Sequence, residues 1–143
     1  MKCILMRTKN IKITSGKKNR SFSKGLILII GIEKNDTAEK STKLSKIIKK
    51  TAIFNDHENK IKISPSDNTE ILVVPNFTLV GEVKKGKVPD FSNSMKGIQA
   101  NKIFKDVCKK LKNEKFKVFE GFFGQYMQIK NTIDGPVIYS FEL

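Results

Sequence analysis

Residues 102–112 constrain the fold more than any other stretch. Ile103, Phe104, Val107, Cys108 and Leu111 recur at helical spacing there, while Lys102, Lys105, Lys109 and Lys112 point elsewhere. A helix with one apolar stripe has to bury it against a flat partner. The partner is supplied by strand-like runs at 2–6, 10–14 and 26–32, with Ser15-Gly16-Lys17-Lys18-Asn19 as a turn between the second and third. The chain therefore begins with antiparallel strands. After Asp36, a good N-cap residue, a first helix is expected over 37–52. It places Leu44, Ile47, Ile48 and Thr51 on one face and Lys40, Lys43, Lys46, Lys49 and Lys50 around the other.

Residues 70–74 form a short apolar strand that runs into Pro75, where the missing N–H suits a strand end or edge. Gly81 to Pro89 reads as a basic loop. Closing strands are expected at 115–120, 126–130 and 137–143, with Gly121 and Gly124 between the first two and Asp134-Gly135-Pro136 before the last. Strands outnumber helices, so the expectation is an α+β fold, one domain over residues 1–143.

Charge and rare residues narrow the function. Lys and Arg number 28 against 14 Asp and Glu, a formal net charge of +14. That excess fits a polyanionic partner such as nucleic acid, and equally a lysine-biased, solubilising surface. His57, the one histidine, sits in the polar run Asn55-Asp56-His57-Glu58-Asn59-Lys60 and reads as part of a solvated turn. A His-dependent triad and a His-rich metal site are both disfavoured. Cys3 and Cys108 belong to no close-spaced cluster and read as buried small hydrophobes. Neither a metal nor a cofactor is expected. No run approaches the roughly 20 apolar residues of a membrane span, and Arg7 and Lys9 follow too soon for a signal peptide, so a cytosolic address is the default.

Two strand ends carry constrained backbone. Pro75-Asn76-Phe77-Thr78 is open to two readings: a strand kink, which the residues alone favour, or a turn presenting main-chain N–H groups and the Thr78 hydroxyl to a ligand. Asp134-Gly135-Pro136 is either an ordinary trans turn or a cis Gly-Pro step that holds carbonyls at a fixed angle. Lys84-Lys85-Gly86-Lys87 joins three cations to a glycine, which suits close approach to phosphates, against the simpler reading of a solvated loop. Glu82, Asp90 and Glu120 show no spacing that marks an acid/base pair. Phe122 and Phe123, beside Gly124, read as core or interface filler before they read as base-stacking platforms.

Taken in order, these segments resemble the D-aminoacyl-tRNA deacylase family over essentially the whole chain. Leu5-Met6-Arg7 resembles the family's Leu-Gln-Arg, and Gly31-Ile32-Glu33-Lys34-Asn35-Asp36-Thr37 its Gly-Val-Glu-Lys-Gly-Asp-Thr. Ile53-Phe54-Asn55-Asp56 is similar to Ile-Phe-Glu-Asp, and residues 72–81 to Leu-Val-Val-Ser-Gln-Phe-Thr-Leu-Tyr-Gly. Lys84-Lys85-Gly86 through Pro89-Asp90-Phe91 resembles Arg-Lys-Gly…Pro-Ser-Phe, and Phe123-Gly124 with Met127-Gln128 resembles Phe-Gly…Met-Gln. Pro75 replaces the family serine, Asn76 the glutamine, Ile133 an asparagine and Ile138 a threonine. A related animal-type deacylase that removes L-alanine also has proline at the Pro75 position, but alanine where this chain keeps Phe77.

The resemblance implies a barrel-like assembly of antiparallel and mixed sheets with two main helices packed outside, and a homodimer with active sites at the subunit interface. It implies hydrolysis of the ester of D-aminoacyl-tRNA, or of its glycyl counterpart, as a proofreading step. Asn76, Phe77 and Thr78 would act at the ester carbonyl. Gly135 and Pro136, oriented by Arg7, would exclude L-aminoacyl groups through a cis peptide. Lys84, Lys85 and Lys87 would hold the tRNA acceptor end. A divergent paralogue with altered aminoacyl selectivity and a non-catalytic tRNA- or DNA-binding protein are the alternatives that the replaced motif residues leave open.

Overall fold

The computed structural model describes residues 1–143 apart from Lys84, Lys85 and Lys87. Its elements are β1 (Lys2–Ser15), β2 (Lys18–Gly31), α1 (Ala38–Lys50), β3 (Phe54–Asn55), β4 (Ile61–Ile63), β5 (Glu70–Pro75), a 3-10 turn (Phe77–Val80), α2 (Gly97–Asn113), β6 (Lys117–Glu120) and β7 (Gln128–Glu142). Five strands form one sheet in the order β6-β5-β2-β1-β7. β2 is antiparallel to β1 and parallel to β5, so the sheet is mixed and the α+β expectation holds. The described strands leave this sheet open, with β6 and β7 at its edges, rather than closing it into a barrel.

The first two strands are longer than the apolar runs indicate. Residues 2–6 and 10–14 are one strand, β1, which passes through Asn10 at φ 54. Leu5 and Cys3 before that kink lie in one core, and Ile11 and Ile13 after it lie in a second. Alternate residues of β2 and β5 divide in the same way, Leu26, Leu28, Ile71 and Val73 against Ile27, Leu72 and Val74, as the two-residue period of a strand requires.

Both helices pack on the first core. Leu44 and Ile48 of α1, and Phe104, Val107, Cys108 and Leu111 of α2, are buried in it, while Ile47 and Ile103 are only partly covered. Asp36 does not cap α1. The N-cap is Thr37, without a side-chain cap bond, and Asp36 is spent on the N-terminal ammonium, which is wholly buried 2.8 Å from its carboxylate. Glu33 lies 2.6 Å from the same ammonium, and the carbonyl of Leu143 accepts from it at 2.9 Å.

At the far edge, the two strands expected at 126–130 and 137–143 are a single strand, and Asp134-Gly135-Pro136 is a bulge inside it. Met6 faces Ile138 and Thr8 faces Ile133, so residues 134–137 all lie opposite Arg7. Tertiary pairing overrides the local turn signal there. Pro75 is the last residue of β5, paired with Ile30 on one side, while β6 pairs no further than Val73 on the other; the proline removes no ladder bond.

Candidate functional site

The Asn76-Phe77-Thr78 turn leaves the sheet where β5 ends. Asn76 caps the turn: its Oδ1 accepts from the Thr78 N–H at 3.0 Å and from the Thr78 hydroxyl, while its own N–H donates to the Ile30 carbonyl at 2.8 Å. The Thr78 N–H, expected to face a ligand together with that of Phe77, is thus held by Asn76. No hydrogen bond among the described residues takes the Phe77 N–H. The Phe77 ring is 59% exposed and meets Phe91 edge-on, with centroids 5.2 Å apart.

Beside this turn is a cavity of about 320 Å3, walled by Ile30, Ile32, Pro75, Met95 and Phe123, with Asn76, Phe77 and Lys96 at it. Its lining is mainly apolar and it carries a few polar groups, the composition of a small-molecule pocket. Nothing local in the sequence marked Met95, Lys96 or Ala100 as cavity residues. They are brought there because the Met95 N–H donates to the Ile32 carbonyl at 2.9 Å and the Lys34 N–H to the Asn93 carbonyl at 3.0 Å. Phe123 joins them from beyond β6 and also packs on Phe104, while Phe122 is core.

The second constrained segment lies elsewhere on the chain. The Gly135-Pro136 peptide is cis, and Gly135 has φ 120. A Cβ at Gly135 would sit 2.7 Å from Val137 Cγ2 and 3.1 Å from an Arg7 guanidinium nitrogen, so only glycine fits. Arg7 is almost fully buried. Its Nε donates to the Asp134 carbonyl at 3.2 Å, and Nη1 donates to the Ile53 carbonyl at 3.0 Å and to Asn55 Oδ1 at 2.6 Å. The partnership of Arg7 with Ile53 and Asn55 had no sequence signal, since 46 and 48 residues separate them.

Asp134 completes the arrangement. The hydrogen bond from Lys9 holds its carboxyl below the ordinary range; partial desolvation opposes this, and the charges of Lys9, Arg7 and Lys24 add to it. Ile133 and Ile138, on either side of the bulge, are 44% and 46% exposed and do not line the cavity at Phe77.

Along the sheet, Pro75 is level with Ile30 and Cys3, whereas Gly135 is level with Arg7, four residues or about 13 Å away. β5 and β7 are three strands apart, about 14 Å. One chain therefore does not bring Asn76-Phe77-Thr78 and Gly135-Pro136 into a common pocket. Lys84, Lys85 and Lys87 lie outside the described residues. Glu120 is bound by Lys105 and Lys112, and although burial raises its pKa, those two ammonium groups bring it below the usual range. His57 is exposed in the turn between β3 and β4, and Cys3 and Cys108 are buried, with desolvation pushing both thiols up to about 12. Among the described residues no helix is long and apolar enough to cross a membrane.

Comparison with known proteins covers nearly the whole chain. The family model described as D-Tyr-tRNA(Tyr) deacylase matches residues 4–142. The chain is 35% identical over 139 residues to the D-aminoacyl-tRNA deacylase of Thermosipho africanus (strain TCF52B), covering 96% of this chain and 93% of that protein. It is 36% identical over 143 residues to the D-aminoacyl-tRNA deacylase of Staphylococcus aureus (strain N315), covering 99% and 95%. Among solved structures, one described as c-Myc DNA Unwinding Element Binding Protein superposes with a TM-score of 0.86 at 29% identity, covering 100% of this chain and 99% of the other. Another, described as a probable eukaryotic D-amino acid tRNA deacylase, has a TM-score of 0.83 at 16% identity, covering 99% and 98%, and shares the fold. With nearly its whole length matched, the chain belongs to the D-Tyr-tRNA(Tyr) deacylase family.

Proposed function

We propose that this protein hydrolyses the ester that joins a D-amino acid to the terminal ribose of tRNA, releasing free amino acid and tRNA. The observation that carries this reading is the open N–H of Phe77 beside a mainly apolar cavity, in a chain whose relatives are named D-aminoacyl-tRNA deacylase. The cavity takes the terminal nucleoside, and the ester carbonyl oxygen meets the Phe77 N–H. Water adds to the carbonyl carbon, negative charge gathers on that oxygen, and the ester C–O bond breaks as the ribose oxygen takes a proton. The neighbouring ribose hydroxyl assists the proton transfer. One lost donor at such an oxygen typically slows turnover by about 3 kcal/mol. The Thr78 N–H is held by Asn76, which leaves the Phe77 N–H as the donor assigned to that oxygen.

Chirality selection falls to Gly135 and Pro136, with Arg7 fixing the preceding carbonyl. Their separation from Phe77 within one chain supports a homodimer in which one protomer lends its Gly135-Pro136 bulge to its partner's Phe77 turn. The half-exposed Ile133 and Ile138 support the same arrangement, because they flank the bulge and await a cover. Lys84, Lys85 and Lys87 supply positive charge for the acceptor end, and binding weakens steeply with salt as phosphate contacts are screened. The cytosol, where charged tRNA is used, is the setting this reading assigns, and glycyl-tRNA is a second substrate within it.

Incubation with matched D- and L-esters of one amino acid on tRNA, beside a Gly135 or Pro136 variant, tests the reading. Selective loss of the D-ester, impaired in the variants, supports it. The likeness to the structure described as a DNA-unwinding-element binding protein favours a second reading, a nucleic-acid-binding protein without hydrolysis. Retention of both esters with tRNA still bound would favour that reading. Loss of both esters alike would identify a paralogue with relaxed selectivity.

A further inference from the structure

The cavity at Phe77 does not end at its apolar wall. Ser94, Met95 and Lys96 also line an adjoining groove, completed by Lys34, Ser92 and Gln99. The groove is formed where residues 32–34 run antiparallel to residues 93–95, joined by the Glu33–Ser94 bridge and by the bonds from the Lys34 and Met95 N–H groups. Lys34 and Lys96 both line this groove, about 10 Å apart along the direction of that ladder.

Two carboxylates lie near this groove, and Asp90 accepts from the Ser92 N–H at 2.8 Å. Glu33, the carboxylate nearest in sequence to Lys34, is turned to the N-terminal ammonium through one oxygen and to the Asn93 amide through the other. Among the described residues neither Lys34 nor Lys96 forms an ion pair, whereas Lys9, Lys40, Lys49, Lys105, Lys112, Lys115 and Lys117 all do. Ser92 and Gln99 are exposed and add neutral hydrogen-bonding groups. The groove is therefore cationic and polar, and it shares a wall with an apolar chamber. A nucleotide has the same succession of parts, an apolar base followed by an anionic phosphate.

We propose that Lys34 and Lys96 bind the 5′-phosphate of the terminal tRNA nucleotide, the group that links it to the preceding one. This rests on the reading that places the terminal nucleoside in the Phe77 cavity. It gives the protein a purchase on substrate next to the reacting ester, in addition to the role assigned to Lys84, Lys85 and Lys87. Because the phosphate is bound equally in the ground state and the transition state, its contribution falls on KM and leaves kcat unchanged.

The test compares two small substrates, a 3′-O-D-aminoacyl-adenosine and the same compound bearing a 5′-phosphate, with the wild-type protein and the Lys34→Gln/Lys96→Gln variant. In the wild type the phosphate is expected to lower KM about tenfold, the weight of one charge-assisted hydrogen bond, with kcat unchanged. In the variant the two substrates should have the same KM. A Lys17→Gln/Lys18→Gln variant removes the same charge at the exposed β1–β2 turn and should keep the tenfold preference. Both altered sites are exposed, so melting temperatures should match the wild type. Hydrolysis of both D-esters with equal KM in the wild type, or a preference that survives in Lys34→Gln/Lys96→Gln, would overturn the phosphate site and leave the deacylase reading standing. Failure of the wild type to hydrolyse either compound or D-aminoacyl-tRNA would overturn both.

Discussion

The Nε of Arg7 lies 3.2 Å from the carbonyl oxygen of Asp134 and 3.1 Å from a carboxylate oxygen of the same residue. One planar group thereby fixes both the main chain and the side chain immediately before the Gly135-Pro136 step. A lysine keeps the charge but cannot span Asp134, Ile53 and Asn55 with the same fork. Arg7→Lys is expected to leave a folded protein whose preference for the D-ester over the L-ester, measured as the ratio of kcat/KM values, drops at least about tenfold. An unchanged ratio would remove Arg7 from chirality selection.

Asp134 should impose a pH dependence on stability. Its carboxyl is held below the ordinary range, first by the hydrogen bond from Lys9. A depressed carboxyl stabilises the fold fully above its unfolded value, about 3.9, and that stabilisation disappears as pH falls through the lower folded value. Asp134→Asn should therefore melt below the wild type at neutral pH, and the gap should close as the medium is taken below about pH 4. Parallel melting curves over the whole acid range would show that the Lys9 and Arg7 contacts contribute nothing to stability.

Gly135→Ala places a methyl group 2.7 Å from Val137 Cγ2 and 2.9 Å from the Val137 nitrogen, at a φ of 120 that side-chain-bearing residues avoid. Destabilisation of about 1–3 kcal/mol is expected, together with loss of D-ester hydrolysis. Urea titration and the ester assay read the two effects separately.

Asn76→Ala removes the acceptor for both the N–H and the hydroxyl of Thr78. Loss of a cap of this kind costs about 1 kcal/mol. A melting temperature equal to that of the wild type would show that the turn is held by its packing alone.

Cys3 and Cys108 are buried, with thiol pKa values pushed up to about 12 by desolvation. At pH 8 neither should react with a maleimide in the native protein, and both should react promptly in denaturant. Labelling of the native protein would reveal local opening of the first core.

Helix α2 was legible in the sequence because its buried face is set by residues three and four apart. Phe104, Val107, Cys108 and Leu111 need no knowledge of what they touch. The Ser15-to-Asn19 turn was legible for the same local reason, and the structure places Gly16 there at φ 55. β7 was not. Asp134, Gly135 and Pro136 carry turn chemistry, and only the pairing of Ile133 with Thr8 and Ile138 with Met6 makes them an interruption within one strand. The Asn76-Phe77-Thr78 and Gly135-Pro136 segments stood out by composition and by resemblance, but the hold of Asn76 on Thr78 depends on side-chain geometry. The groove at Lys34 and Lys96 was invisible because its two lysines are brought together by a backbone ladder between segments 60 residues apart.

β7 has a further consequence as the outermost strand of the sheet. Fifteen residues of extended edge would offer a passing chain a long row of free main-chain donors and acceptors, the usual template for runaway strand addition. Pro136 removes a donor from the middle of that row, and the bulge at 134–137 breaks its regular spacing. The segment to which chirality selection is assigned thus also serves as a guard against aggregation. Straightening it by a three-residue deletion would expose an unbroken edge, at a cost in solubility as well as in selectivity.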